Sequence, residues 1–245
     1  MKFGGNKMKF GILMLTYRRA KRSSLELAER SLNSILNQKY QNYKVFFIGD
    51  RYEDQKEFDY LSSLIPKDKI VAINLDVAVE RDNPNLQGHA LWYSAGANAS
   101  KFGTKKMKED GIIYYARLDD DDYWLPNHLS TIKMGYENFP DASCVFTRST
   151  YKNRHLPKSS HRVSAGYNNL FPMPMDTVPS TMSWRLDHID LPVRTVIEQG
   201  RVYPGDADQL VRLKDVCLKN NYKVVHIPET TMVYGESGTI MKGDR

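Results

Sequence analysis

Residues 111–124, GIIYYARLDDDDYW, set four consecutive aspartates, Asp119, Asp120, Asp121 and Asp122, between a β-prone run and two aromatics. Adjacent carboxylates repel one another unless a positive charge sits among them. Hard divalent cations such as Mg²⁺ or Mn²⁺ take carboxylate oxygens and commonly bring phosphates with them. The plainer reading is an acidic loop that precedes the helix opened by Pro126, since charge runs are often solvated faces.

Further acids stand where strands end or helices begin. Asp50 follows the apolar run 43–49, and Asp206 and Asp208 open the segment GDADQLVRLKDVCLK. Thr16 and Tyr17 close the first apolar run. On one edge of a parallel sheet, these groups would line a cleft suited to a nucleoside diphosphate and a divalent ion. Asp50 would accept from a base N–H, a cluster acid would hold the ribose, and the cation would neutralise the diphosphate. Each residue also has an ordinary structural reading. Asp50 is a strand-end turn former and Asp206 a helix N-cap, while Trp124 and Trp184 are core aromatics and His226 a core histidine.

The elements needed to position these residues follow from periodicity. Runs 9–16, 43–49 and 69–75 read as buried strands, separated by helices over about 24–38 and 53–64. Strand, helix, strand, helix, strand is the pattern of parallel βαβ units. The run 112–115 is a further central strand, 88–100 a small-residue helix, and 126–138 a helix with proline in its first turn. Beyond residue 142, strands are expected at 144–150, 177–185, 222–227 and 230–234, with a loop over 164–174 and a helix from Gly205. Residues 1–8 are expected to form a flexible tail and 235–245 a mobile one. Between them, 9–141 and 142–234 read as two halves of the same domain.

At 245 residues, with 41% hydrophobic and 26% charged residues, the chain suits a soluble α/β domain with a sizeable core. No apolar run approaches the roughly 20 residues that span a bilayer. Two cysteines are too few for a disulfide framework, and a cytoplasmic location is expected. The net charge of +6 allows a polyanionic partner or peripheral contact with an anionic membrane, and equally serves solubility. Neither GxGxxG nor GxxxxGK[ST] occurs, so a nucleotide is held by other means.

Taken together, these parts resemble the family 2 glycosyltransferases of GT-A fold, across roughly residues 10–234. The resemblance is carried by Thr16-Tyr17-Arg18, by Ser34-Ile35-Leu36-Asn37-Gln38 ahead of the second strand, and by Asp50. It also rests on Asp119-Asp120-Asp121-Asp122-Tyr123-Trp124 at the place of a DxD motif, and on Gly205-Asp206-Ala207-Asp208-Gln209-Leu210-Val211-Arg212-Leu213. It implies a single Rossmann-like domain with a mostly parallel sheet, in which 9–141 is the nucleotide-sugar-binding half and 142–234 the acceptor-binding and catalytic-base half. It also implies an inverting, metal-dependent transfer from a nucleotide-sugar, a UDP-sugar by preference. Asp206 falls at the position of the catalytic base. Asp121, with Asp119, falls at the Mn²⁺ or Mg²⁺ site. Thr16, Tyr17, Arg18, Asp50, Asp119 and Asp120 fall on the donor side, and Trp124, Trp184, Asp208 and Arg148 are expected on the acceptor side. Two departures stand out. An Arg-Asn pair common in relatives is replaced by Ser94-Ala95, which leaves its contact to Arg81 or Arg117. A C-terminal Tyr-Arg-x-His element is replaced by residues 234–237, YGES, so His226, Glu236 or Lys242 would have to substitute.

The acceptor is expected to be a polysaccharide, a lipid-linked glycan, a protein or a polyanion such as modified DNA, the last suggested by the acid-free stretch 142–175. Rival functions are a sugar nucleotidyltransferase, which would want a glycine-rich phosphate loop after the first strand, and a Mg²⁺-dependent nuclease or nucleic-acid-binding protein.

Overall fold

The computed structural model describes residues 8–19, 24–151, 154–157, 174 and 177–235. Expectations for residues 1–7, the loop 164–173, Glu236 and Lys242 lie outside the described residues.

A nine-stranded sheet runs through the chain in the order β3-β2-β1-β4-β8-β6-β9-β5, with β7 paired to β6. Strands β1 (Phe10–Thr16), β2 (Tyr43–Gly49), β3 (Ile70–Asn74) and β4 (Tyr114–Arg117) are mutually parallel. The strand β8 (Met182–Arg185) pairs antiparallel with both β4 and β6 (Ala142–Tyr151). The long β9 (Lys223–Val233) returns parallel to β6, and its edge carries the two-residue β5 (Tyr123–Trp124). The short β7 (Arg154–Leu156) completes the sheet. Six of the nine strands thus share one direction, which is the mostly parallel α/β architecture expected.

Helices cover both faces. On one side, α1 (Ser24–Leu36) buries Ala28, Leu32 and Ile35 against Phe10, Ile12, Met14 and Phe47. On the other, α4 (Ala97–Glu109) packs on β1 and β2 through small residues, and a Cβ at Gly103 would come within 2.3 Å of Leu13 Cδ1. The remaining helices are α2 (Gln55–Ser63), α3 (Gly88–Ser94), α5 (His128–Asn138), α6 (Val196–Gln199) and α7 (Gly205–Asn220).

Several local expectations are corrected. Residues 88–100 are two helices rather than one, because Gly96 adopts a left-handed φ of 76° between α3 and α4. The aspartate strand starts at Tyr114, two residues later than its apolar run, and Ile113 faces solvent. The two closing strands are one strand, β9. It carries Pro228 through a break in register between Phe146↔His226 and Arg148↔Thr230, where a missing N–H costs no ladder bond.

Candidate active site

The parallel strands end together, and backbone geometry alone gathers the candidate residues. Asp50 N donates to Thr16 O at 2.8 Å, and Leu118 N to Leu13 O at 3.0 Å, so the ends of β2, β1 and β4 lie side by side. Thr16 Oγ1 donates across to Asp120 Oδ2 at 2.8 Å. The crevice between β1 and β4, where successive crossovers diverge to either side, is where open α/β sheets place ligands.

Helix α1 holds the aspartate segment by its backbone. Arg30 Nη2 donates to Asp121 O at 2.7 Å, and Ser31 Oγ to Asp122 O at 2.5 Å. Ser34 Oγ accepts from Trp124 N at 3.1 Å. Gln38 donates to Leu125 O at 2.9 Å and accepts from Leu129 N at 3.0 Å. The Ser34-to-Gln38 motif therefore acts as a bracket for residues 124–129, a role that pattern alone did not disclose.

The four carboxylates have four different environments. Arg117 Nε donates to Asp119 Oδ1 at 2.7 Å. Asp120 is buried and takes both Nη groups of Arg19 in addition to Thr16. Asp122 is buried between Ser180 Oγ at 2.7 Å and Gly235 N at 2.9 Å, and burial, then Asp119 and Asp121, push its pKa well up. Asp121 meets Arg19 more loosely, at 4.0 Å. Burial and the neighbouring Asp120 raise its pKa to about 6, with Arg19 working in the opposite direction.

Tyr234 lies within electrostatic reach of both the cluster and Asp206 on helix α7. Burial, then Asp122, Asp119, Asp121 and Asp206, all raise its pKa. Arg117 senses Asp206 as well: burial disfavours its charge, but Asp119, Tyr115 and Asp206 outweigh that and hold its pKa above the ordinary value. Asp206 is near enough to bear on the charges of Tyr234 and Arg117, and it is exposed in the first turn of α7 with Oδ1 accepting from Ala207 N at 2.8 Å. Arg117 Nη1 is buried there without a hydrogen-bond partner.

The end of β2 carries a second group of unmet polar atoms. Asp50 is buried, Arg81 Nε lies 3.4 Å from its Oδ2, and its Oδ1 has no partner. Burial raises its pKa against the pull of Arg81. Nearby Glu80, also buried, accepts from Asn98 N at 2.8 Å while its Oε2 is unmatched. The guanidinium carbons of Arg19 and Arg81 stand 4.7 and 5.4 Å from the Tyr17 ring centre.

Other expected site residues fall elsewhere. Arg18 is exposed and pairs with Glu57 on α2; its neighbour Arg19 meets the aspartates instead. Trp124 is buried, stacked on His128 and donating to Ser180 O at 2.7 Å. Trp184 is buried and stacked on Tyr115. Both are core residues with no ring face for an acceptor. Asp208 is likewise buried, held by Arg194 and Arg212, because the helical turn aims it away from Asp206 and into the protein. Arg148 lies half-buried on β6, and its Nε has no partner. His226 stacks on Phe146 at 4.5 Å, and burial, then Arg148, lower its pKa to about 4. Arg19, Glu80 and Ser180 were not picked out as site residues from sequence, and Asp122 only as one member of the aspartate cluster. Their partners lie 18 to 101 residues away, beyond the reach of any local pattern.

No protein-family model matches the chain. The fold is similar to that of S. aureus TarS 1-349 (TM-score 0.65, 14% identity, 93% of this chain). The chain spans 60% of the length of that TarS structure. A TarS complex with UDP-GlcNAc gives a TM-score of 0.63 at 14% identity, covering 93% of this chain and 58% of that one. A mannosyltransferase from Pyrobaculum calidifontis in complex with GDP-Man and Mn²⁺ gives 0.58 at 14% identity, covering 92% and 56%. These likenesses concern the fold, which is that of GT-A glycosyltransferases. In sequence, the chain is 32% identical over 247 aligned positions to an uncharacterized glycosyltransferase of Acanthamoeba polyphaga mimivirus, covering 96% of this chain and 97% of that one. On that match along nearly the whole of both chains, the protein belongs to the glycosyltransferases.

Proposed function

We propose that the protein transfers a sugar from a UDP-sugar to an acceptor hydroxyl, with inversion at the anomeric carbon and a divalent cation on the diphosphate. The observation that carries this reading is the meeting of Asp50, Thr16 and the aspartate cluster at the ends of the parallel strands. UDP and UDP-GlcNAc complexes of TarS, and the GDP-Man and Mn²⁺ complex of the mannosyltransferase, support a nucleotide-sugar donor.

The unpaired Oδ1 of Asp50 suits the N–H of a nucleobase, and Tyr17 offers a ring beside it. Arg117, held by Asp119 through its Nε and with its Nη1 unmatched, suits an oxygen of the diphosphate or of the donor sugar. It thereby supplies the contact that Ser94-Ala95 cannot.

The residues fit a hard divalent cation. Asp119, Asp120 and Asp122 are tied to Arg117, Arg19 and Ser180, whereas Asp121 keeps a half-exposed carboxylate. Among the described residues, no three acidic, His or Cys side chains converge on one point. Asp121, with the second oxygen of Asp119, would hold the ion, and substrate phosphates would complete its shell, as Mg²⁺ sites commonly require. When bound, the cation supplies Lewis-acid stabilisation of the departing diphosphate.

Asp206 acts as general base. It takes the proton of the acceptor hydroxyl while that oxygen bonds to the anomeric carbon. The bond from that carbon to the phosphate oxygen breaks, and the diphosphate leaves with the electron pair. Arg19 and Arg30 keep the aspartate segment in place throughout. The test is release of UDP from a set of UDP-sugars by wild type and Asp206→Asn. Turnover of one sugar by wild type, lost in the variant, is expected. Equal turnover by both would overturn the assignment of the base.

A further inference from the structure

Helix α3 ends against the start of α7. A Cβ on Gly205 would lie 2.8 Å from the Tyr93 carbonyl oxygen, and Ser94 Oγ accepts from Val196 N at 2.9 Å. This close approach brings the solvent side of α3 next to the segment that presents Asp206. The surface there is unusual. Trp92 is 57% exposed, with Ile197 at 58% on α6 and Val202 at 65% on the link into α7. These residues stand on or beside elements that meet at this corner, and exposed apolar groups gathered in one region mark interaction surfaces.

The same corner is rich in guanidinium groups. Asp208 has Arg194 and Arg212 within hydrogen-bond distance, which already satisfies its carboxylate. A third arginine, Arg201, reaches it only at 3.7 Å, stays 54% exposed on its side chain, and lies over the Tyr203 ring at 4.6 Å. Arg201 is therefore a cation set over an aromatic ring, on a side chain more than half exposed.

We propose that Trp92 and Arg201, with Arg194 beside them, form the acceptor platform, and that the acceptor is an anionic glycan bearing phosphate or carboxylate groups. The proposal rests on the reading of Asp206 as the base. A sugar ring lays its C–H face on Trp92, and the planar guanidinium of Arg201 takes a phosphate or carboxylate two oxygens at a time. A lipid surface fits less well. The helices here have seven and four residues, too short to present the continuous apolar face of an interfacial helix.

The test is an array of neutral, carboxylated and phosphorylated oligosaccharides, probed with UDP-loaded wild type, Trp92→Ala and Arg201→Ala. Anionic vesicles run beside it, and each protein's melting-temperature shift with UDP serves as the check on fold and donor site. Wild type is expected to bind anionic oligosaccharides and to lose them as salt rises. Each variant is expected to bind them about tenfold more weakly, the loss of one charge-assisted or stacking contact, while keeping its UDP shift. Three results would overturn the platform: a preference for neutral saccharides, binding to vesicles alone, or undiminished binding by both variants. A missing UDP shift in wild type would instead remove the donor reading, and the platform with it.

Discussion

Arg19 meets Asp120 end to end, Nη1 at 3.0 Å from Oδ2 and Nη2 at 2.5 Å from Oδ1. Both side chains are largely buried, and Thr16 completes the set. The pair joins the loop after β1 to the loop after β4, which makes it the seam of the crevice proposed to hold the donor. Removing one member of a buried pair leaves the other charge without compensation. Arg19→Ala is expected to cost about 3 kcal/mol of stability, measured by urea unfolding. A cost within the scatter of ordinary surface substitutions would show that water already screens the pair.

Asp121 titrates differently from a free carboxylate, at about 6 because of burial and Asp120. Its folded pKa is raised, so its contribution to stability is present below the unfolded value and lost as pH rises through about 6. Cation binding runs the other way, because it needs the charged form. Joint binding of Mn²⁺ and UDP, followed by calorimetry, is expected to strengthen between about pH 5 and about pH 7. Asp121→Asn should weaken it at all pH values and flatten the dependence. An unchanged pH profile in that variant would place the cation elsewhere.

Asp206 and Asp208 are two residues apart on one helix, and their environments predict opposite phenotypes. Asp206→Asn should lower turnover by roughly 10²–10⁴ while leaving the UDP-induced melting shift intact. Asp208→Ala strands Arg194 and Arg212 and should cost about 3–5 kcal/mol of stability. Comparing melting temperature with initial rate for both variants checks the contrast. Similar destabilisation by both would mean that Asp206 is a structural cap.

Gln38 is buried and makes hydrogen bonds to Ser34 O, Leu125 O and Leu129 N. Gln38→Leu keeps the volume but leaves buried backbone groups unpaired, at an expected cost of about 2 kcal/mol. UDP affinity should fall too, since the bracket holds the segment that follows the aspartates. A stable variant with full UDP affinity would show that the segment positions itself.

Much of the edge was legible in the sequence because it depends on local pattern. Apolar runs ending in Thr16, Gly49 and Tyr115 give parallel strands, and parallel strands put their ends on one edge. What each carboxylate does was not legible. Asp120 and Asp122 differ only in whether Arg19 or Ser180 stands opposite, and those partners come from distant loops. The choice between the core and acceptor readings of Trp124 rested on the same kind of distant partner. Trp124 faces inward because β9 pairs with β5, a contact made across more than a hundred residues.

The account depends most directly on nucleotide and cation binding together on this edge. The decisive measurement is the melting temperature with UDP, with Mn²⁺ and with both, in wild type and in Asp121→Asn. Because binding to the folded state alone raises stability by linkage, wild type should shift most with both ligands present, and Asp121→Asn should lose the increment due to the metal. No shift with UDP under any condition would contradict the account.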